Sequence, residues 1–414
     1  MTFLLDYEPQ QICYTLKNMQ NIEELLSRGV ANVIPDKHSL TSLLTSGKQL
    51  NIYLGIDPTA TKIHIGHAVP LRKLQKFAEM GHNVTFLIGD FTALIGDTSD
   101  KDTERPLLTK EQIEENFFTY KKQAEKILDF SKVRVMHNSE WLSKLTFTEI
   151  VKLCQNFSFG DFASRELVAK RLKDKKHVGL HEALYPVMQG YDSYFMDTDI
   201  QLGGTDQTFN MQTGRQLQKN LRNKESFVVT MEFLEGTDGR KMSKSWGNAI
   251  WLDDAPEEMY GKIMSLRDEL IEQYFTLATS VSIQTCIQVA NRLGSGENPR
   301  DLKKELARQI VTELYTVEEA KTAEETFERV IQQKNLPTEI PVHKLQSKED
   351  VISYVDLLIE TGLATSRGEA KRLIEQGGVE VDNERVSDVN AETTVKDNII
   401  IKVGKRKFVE VTTE

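Results

Sequence analysis

The sequence has 414 residues, of which 39% are hydrophobic and 28% charged, a globular balance at a length that calls for two or three domains. A formal net charge of −10 excludes a protein that coats nucleic acid indiscriminately, although a few well-placed arginines and lysines could still hold a folded RNA. Cys13, Cys154 and Cys286 have no paired spacing, which excludes a disulfide framework or a cysteine zinc site; with Asp6 and Pro9 interrupting the first residues and no apolar run long enough to span a bilayer, a cytoplasmic protein is expected.

In chain order, Asn51 to Ile56 reads as a short buried strand and Asp57-Pro58-Thr59 as the turn leaving it. A helix is predicted from about His64 to Met80, stopped by Gly81, and Val84 to Ile88 is the next β-rich run. Strand, helix, strand with a right-handed crossover makes a parallel pair. Further strands are predicted at Val133 to His137, Asp199 to Leu202 and Phe227 to Thr230, separated by helical stretches such as Lys110 to Asp129. This is the α/β pattern of a doubly wound, Rossmann-like parallel sheet, expected to occupy residues 1–250 with a helical insertion. Ligands of such sheets bind beyond the carboxyl ends of the strands, where Asp57, Asp90 to Asp97, Asn138 and Gly203 to Gln207 fall.

After Trp251 the β-rich runs stop, and Leu302, Leu306, Ile310 and Leu314 recur at helical spacing before a capping-box pattern from Thr316 to Glu319. Residues 251–335 are therefore read as an α-helical domain, and 336–350, with Pro337 and Pro341, as a linker. Residues 351–414 read as a small α+β domain: a helix near Val351 to Glu360, a capping box from Ser366 to Glu369 opening a second helix, Gly377-Gly378, and short strands. On that second helix Arg367, Lys371 and Arg372 share a face, and Lys402, Lys405, Arg406 and Lys407 add a basic hairpin. Such a face is either a solvated charged surface or one turned to phosphates.

Three local patterns carry chemistry. His64-Ile65-Gly66-His67 opens the first long helix, where unpaired N–H groups and the macrodipole favour an anion and Gly66 would let a nucleotide approach. The same histidine spacing also fits a metal pair, though no third ligand is arranged nearby. Lys241-Met242-Ser243-Lys244-Ser245, bracketed by Gly239 and Gly247, is a basic loop suited to a departing pyrophosphate, and read with the histidines it marks an ATP site. Tyr185, Gln189 and Asp192, spaced i, i+4 and i+7, lie on one helical face, either exposed or lining a polar pocket.

With HIGH at 64–67 and KMSKS at 241–245 both complete, the chain resembles the class I aminoacyl-tRNA synthetases over nearly its whole length. The pattern at Tyr185, Gln189 and Asp192 resembles that of the tyrosyl-tRNA synthetases of bacterial type. That resemblance implies a tyrosine–tRNA ligase, which activates L-tyrosine with ATP to tyrosyl-adenylate and pyrophosphate, then moves tyrosine to the 3′-terminal ribose of tRNA(Tyr) and releases AMP. It implies Asp97, Tyr185 and Gln189 as partners of the substrate ammonium, Tyr53 and Asp192 as partners of the phenol hydroxyl, and Gln207 and Asn138 as their neighbours. Around the phosphates it implies Thr59, His64, His67, Lys101, Arg105, Lys241 and Lys244, with Gly55, Asp57, Gly66, Gly204 and Asp206 completing the ATP site.

The resemblance further implies Mg2+ arriving with ATP rather than held in a protein cage, a homodimer, and a C-terminal module of ribosomal-protein type that meets tRNA(Tyr) through Arg367, Lys371 and Arg372. Thr98 and Asp100 stand where many relatives have Pro and Gly, which alters the turn chemistry of the loop presenting Lys101. Two rivals are distinguishable. A tryptophan-activating sibling would need an acceptor for an indole N–H, and a noncatalytic RNA-binding paralogue would be expected to carry a damaged HIGH or KMSKS motif.

Overall fold

The computed structural model describes residues 19–97, 108–243, 246–329, 340–345, 351–382, 384–394, 399–404 and 407–412. They fall into two units, Met1–Asp254 with Ser265–Tyr315, and Ala255–Met264 with Thr316–Glu414. This division follows packing, so it differs from the boundaries read from sequence texture, which separate stretches by the kind of element they form.

The first unit is built on a six-stranded sheet of order β1-β6-β5-β2-β3-β4, with β1 Val30–Ile34, β2 Asn51–Ile56, β3 Asn83–Ile88, β4 Val133–His137, β5 Ile200–Gly204 and β6 Phe227–Met231. All neighbours from β6 to β4 pair in parallel, as the strand–helix–strand reading requires. β1 pairs antiparallel with β6, which makes the sheet mixed, and the sequence reading missed it. Its residues are exposed or only half-buried, so this edge strand carries no buried apolar run to reveal it. β3, by contrast, is buried at five of its six positions, as expected of a parallel strand covered on both faces.

Helix α1 (Ile65–Glu79) buries Ile65, Ala68, Leu71, Leu74 and Ala78 at helical spacing, and Gly81, at φ +84°, lets the chain leave it in the left-handed conformation. α2 (Lys110–Ala124) stops short of the predicted Asp129. There the Asp129 carboxylate accepts from Ser131 N at 3.0 Å and Ser131 Oγ at 2.6 Å, a local turn that competes with helix. α3 (Leu180–Phe195) and α4 (Thr208–Arg222) cross closely enough that a Cβ on Gly190 would lie 2.7 Å from Thr213 Oγ1. From α3, Tyr185 and Asp192 reach Asp57, Asn138 and Trp141, beyond the ends of β2 and β4.

In the second unit a five-stranded sheet of order β10-β9-β12-β13-β7 joins β7 Val342–Lys344, β9 Val379–Val381, β10 Glu384–Val386, β12 Ile399–Val403 and β13 Lys407–Thr412. β8 (Val351–Ser353) pairs separately with β11 (Glu392–Thr394). β7 lies in the stretch read as linker, where its residues run parallel to Glu410–Thr412. Val351–Ser353 is strand rather than the start of a helix, because Ser353 caps the helix Tyr354–Glu360, its Oγ accepting from Asp356 N at 3.1 Å. Thr316 and Ser366 cap the helices Val317–Phe327 and Arg367–Glu375 in the same way.

Candidate functional site

Asp57 stands just beyond the end of β2 and organises one end of the site. Tyr185 donates its hydroxyl to Asp57 Oδ2 at 2.8 Å, and Thr92 donates to Asp57 Oδ1 at 2.8 Å. Residue 89 has to be glycine for this, since a Cβ there would lie 2.0 Å from Asp57 Oδ1 and 2.4 Å from Thr92 Oγ1. Gln207, after β5, donates through Nε2 to Asp97 Oδ2 at 2.7 Å and to Asp206 Oδ2 at 3.3 Å. Burial, reinforced by Asp57 and Asp97, holds the Tyr185 phenol well above its ordinary pKa, so it remains a neutral donor. Several carboxylates around one neutral tyrosine suit a compact cation such as an ammonium group. Gln189, one turn further along α3, is half-buried on the same face.

Two turns along α3, Asp192 is 2% exposed and marks the deep end. Trp141 Nε1 donates to its Oδ1 at 2.7 Å and Asn138 Nδ2 to its Oδ2 at 3.1 Å. Burial pushes this carboxyl up to about 8, against those two donors, while Asp57 and Asp90 add to the rise. Asn138 also donates to Thr92 Oγ1 at 3.0 Å and accepts from Phe91 N at 2.9 Å. Both its N–H groups are thus committed to protein acceptors, which makes it an orienting group between Thr92 and Asp192. Tyr53, on β2, is 3% exposed and donates to Gln201 Oε1 at 3.1 Å. Thr92, Trp141, Gly89 and Gln201 were not singled out from the sequence. Only Gln201 left a signal, a polar side chain between Ile200 and Leu202 in an apolar strand, which burial obliges to find a partner.

The other end forms at the start of α1. His64 is the N-cap residue, in extended conformation, and Ile65 N donates to Ile250 O at 2.8 Å while Leu252 N donates to Ile63 O at 3.0 Å. The residues that follow the lysine loop are therefore tied to the helix start. His67 Nδ1 accepts from His64 N at 3.3 Å, and the two rings lie 3.9 Å apart between centroids. Gly66 admits the ring of His64 itself: a Cβ there would lie 2.9 Å from His64 Nδ1, a constraint present before any nucleotide arrives. Burial, then the charges of His67 and Lys241, pull His64 down to about 2; burial chiefly, with Lys241, pulls His67 to about 4. Both imidazoles are therefore neutral at ordinary pH and can act as hydrogen-bond donors rather than as cations. Among the described residues no group of three or more His, Cys, Asp or Glu is placed to hold a metal ion.

Lys241 lies with its Nζ 5.6 Å from the centre of the Phe233 ring, and Asn248 braces the loop's first arm, accepting from Ser243 N at 2.8 Å and donating to Lys241 O at 3.2 Å. Thr59 N donates to Asp57 O at 2.8 Å, and a Cβ on Gly204 would lie 2.4 Å from Asp206 Oδ1. Gly55 is exposed, and a methyl group there would make only ordinary contacts with Tyr53 and Leu87, so nothing within the protein demands glycine at that position. Lys101, Arg105 and Lys244 lie outside the described residues. In the second unit Arg367, Lys371 and Arg372 are all exposed, and Arg367 is paired with Asp356.

Residues 45–332 match the family described as tRNA synthetases class I (W and Y), and residues 331–411 match the tyrosine–tRNA ligase SYY-like C-terminal domain. The tyrosine–tRNA ligase of Carboxydothermus hydrogenoformans is 43% identical over 397 residues, covering 94% of this chain and 97% of its own. That of Moorella thermoacetica is 44% identical over 394 residues, covering 94% and 95%. Among solved structures, the C-terminally truncated mitochondrial tyrosyl-tRNA synthetase of Aspergillus nidulans shares the fold with a TM-score of 0.64 at 21% identity, over 78% of this chain and 99% of that one. The Archaeoglobus fulgidus tyrosyl-tRNA synthetase, complexed with L-tyrosine, does so at 0.59 and 23% identity, over 74% and 99%.

Proposed function

The chain belongs to the class I tRNA synthetases of the tryptophan and tyrosine kind, and from that premise we propose how its residues carry out tyrosine–tRNA ligation. The activity is that of a tyrosine–tRNA ligase: tyrosine is joined to AMP at the expense of ATP and then passed to tRNA. The observation that carries the residue assignments is the buried polar chain from Asp57 and Thr92 through Asn138 to Asp192, which offers a carboxylate to an ammonium at one end and a buried carboxyl to a hydroxyl at the other.

In our reading the substrate ammonium sits among Asp97, Tyr185 and Gln189, with Asp57 holding Tyr185 in place. The phenol hydroxyl meets Asp192 and Tyr53. Phenylalanine would leave those buried groups without their partner, and such a mismatch discriminates more sharply than loss of apolar contact, tyrosyl-tRNA synthetases being the familiar example. The substrate carboxylate then attacks the α-phosphate of ATP in line, and pyrophosphate leaves. Because His67 Nδ1 accepts a backbone N–H, its proton resides on Nε2; His64, with Nδ1 turned to Gly66, likewise directs Nε2 outward. Two neutral N–H donors at a helix N-terminus stabilise charge spreading onto the phosphates without requiring a buried cation. Lys241, with Lys244, Lys101 and Arg105, supplies the countercharge.

ATP is expected to bring Mg2+, whose ligands would be phosphate and water, since Asp57 and Asp97 are already engaged by Tyr185, Thr92 and Gln207. Exposed Phe159 and Leu180, which line one cavity with Phe157 and Phe162, support a homodimer, because large apolar groups clustered on a surface mark an interaction site. Residues 251–335 and the face bearing Arg367, Lys371 and Arg372 are proposed to meet tRNA(Tyr). No helix among the described residues is long and apolar enough to cross a membrane, and the location we propose is cytoplasmic. ATP–pyrophosphate exchange with each amino acid in turn tests the reading: exchange is expected with tyrosine, and exchange driven by tryptophan instead would overturn it.

A further inference from the structure

Tyr53 and Gln201 are direct partners across the parallel pair β2 and β5, so their side chains stand side by side on one face of the sheet. Gln201 is fully buried, and its Nε2 donates to Met211 O at 2.9 Å. That bond fixes which way the amide points and leaves Oε1 facing Tyr53, whose hydroxyl donates to it at 3.1 Å. Space for this amide is reserved by Gly214, where a Cβ would lie 2.7 Å from Gln201 Oε1. A tyrosine hydroxyl has a single proton, and here it is spent on Gln201.

We propose that Gln201 is a positioning residue that turns Tyr53 into a hydrogen-bond acceptor, so that the para subsite selects amino acids carrying a proton donor there. The inference rests on the reading of Tyr53 and Asp192 as the phenol subsite. With its proton so committed, Tyr53 presents an acceptor to the ligand. A phenol O–H satisfies it; a para substituent that can only accept is repelled.

The probe is 4-fluorophenylalanine, which places a weak acceptor with partial negative charge where tyrosine has its hydroxyl, compared with phenylalanine in ATP–pyrophosphate exchange. The wild-type protein should use the fluoro compound no better than phenylalanine. In Gln201→Met the proton of Tyr53 is released to turn towards the ligand, and the ratio of kcat/KM for 4-fluorophenylalanine over phenylalanine should rise roughly two- to three-fold, the lower end of the range of one neutral hydrogen bond because organic fluorine accepts weakly. With Tyr53→Phe in the same chain the rise should vanish, because there is no longer a proton to release. Gln201→Glu keeps an oxygen towards Tyr53 and, protonated, a donor for the Met211 carbonyl, so it should keep the wild-type ratio.

An unchanged ratio in Gln201→Met, a rise that survives Tyr53→Phe, or a shifted ratio in Gln201→Glu each overturns the proposal. If Tyr53→Phe and Asp192→Ala both leave the preference for tyrosine over phenylalanine intact, the subsite reading itself has failed, a result separable from a failure of Gln201 alone.

Discussion

The two ends of the site differ in how complete they are without substrate. At the phenol end each polar group already has protein partners: Asp192 takes Trp141 and Asn138, Asn138 takes Thr92, and Tyr53 takes Gln201. At the nucleotide end the groups are crowded, and His64 Nδ1 is buried with no hydrogen-bond partner among the described residues. The rings of His64 and His67 are packed together, and burial and the nearby Lys241 keep both uncharged. The contrast teaches where each task is placed. Discrimination between amino acids calls for a rigid template whose geometry is settled in advance, whereas stabilising a departing phosphate calls for donors that find their acceptor only as the reaction proceeds.

The largest expected effect comes from breaking the nucleotide end. His64→Ala or His67→Ala should lower the exchange rate by about 10²–10³-fold, the usual consequence of removing one preorganised donor, and should do so for tyrosine and phenylalanine alike. At the phenol end Asp192→Ala should cost tyrosine roughly 10–100-fold in kcat/KM, the range for leaving a buried polar group without its partner, with little loss for phenylalanine. Trp141→Phe, which removes a single donor to Asp192, should fall below that.

Gly89→Ala sharpens the comparison differently, because it forces a methyl group into the Asp57–Thr92 contact. It should destabilise the protein by about 1–3 kcal/mol in denaturant titration and raise KM for tyrosine. A further test concerns acid. Both histidines have folded pKa values below the unfolded one, so the unfolded chain binds more protons, and stability is lost as pH falls through the unfolded value of about 6.5 towards the folded values of about 4 and about 2. A His64→Asn, His67→Asn double variant should therefore lose fewer degrees of Tm than the wild-type protein between pH 7.5 and pH 5.

The same contrast governs how much could be read from the chain. β2 and β3 were legible because a buried parallel strand has to be apolar nearly throughout, while β1 was not, because this half-exposed edge leaves no such trace. Helical spacing put Tyr185 and Asp192 on one face, and the resemblance to the tyrosyl-tRNA synthetases, rather than the spacing, pointed that face at a substrate. Thr92, Trp141 and Gln201 were not, since each acquires its role only when separate elements converge, and nothing in their neighbours' identities foretells the partner. The histidines were legible as a site but not in their charge state, which depends on burial and on a lysine far away in sequence.

The claim that the amino acid is read at Asp192 and the chemistry supported at His64 is tested most directly by one quantity, the tyrosine-to-phenylalanine ratio of kcat/KM in ATP–pyrophosphate exchange, measured in Asp192→Ala and in His64→Ala. The account requires the ratio to collapse in the first variant and to stay at its wild-type value in the second, where both rates fall together. A ratio preserved in Asp192→Ala, or lost in His64→Ala, would contradict it.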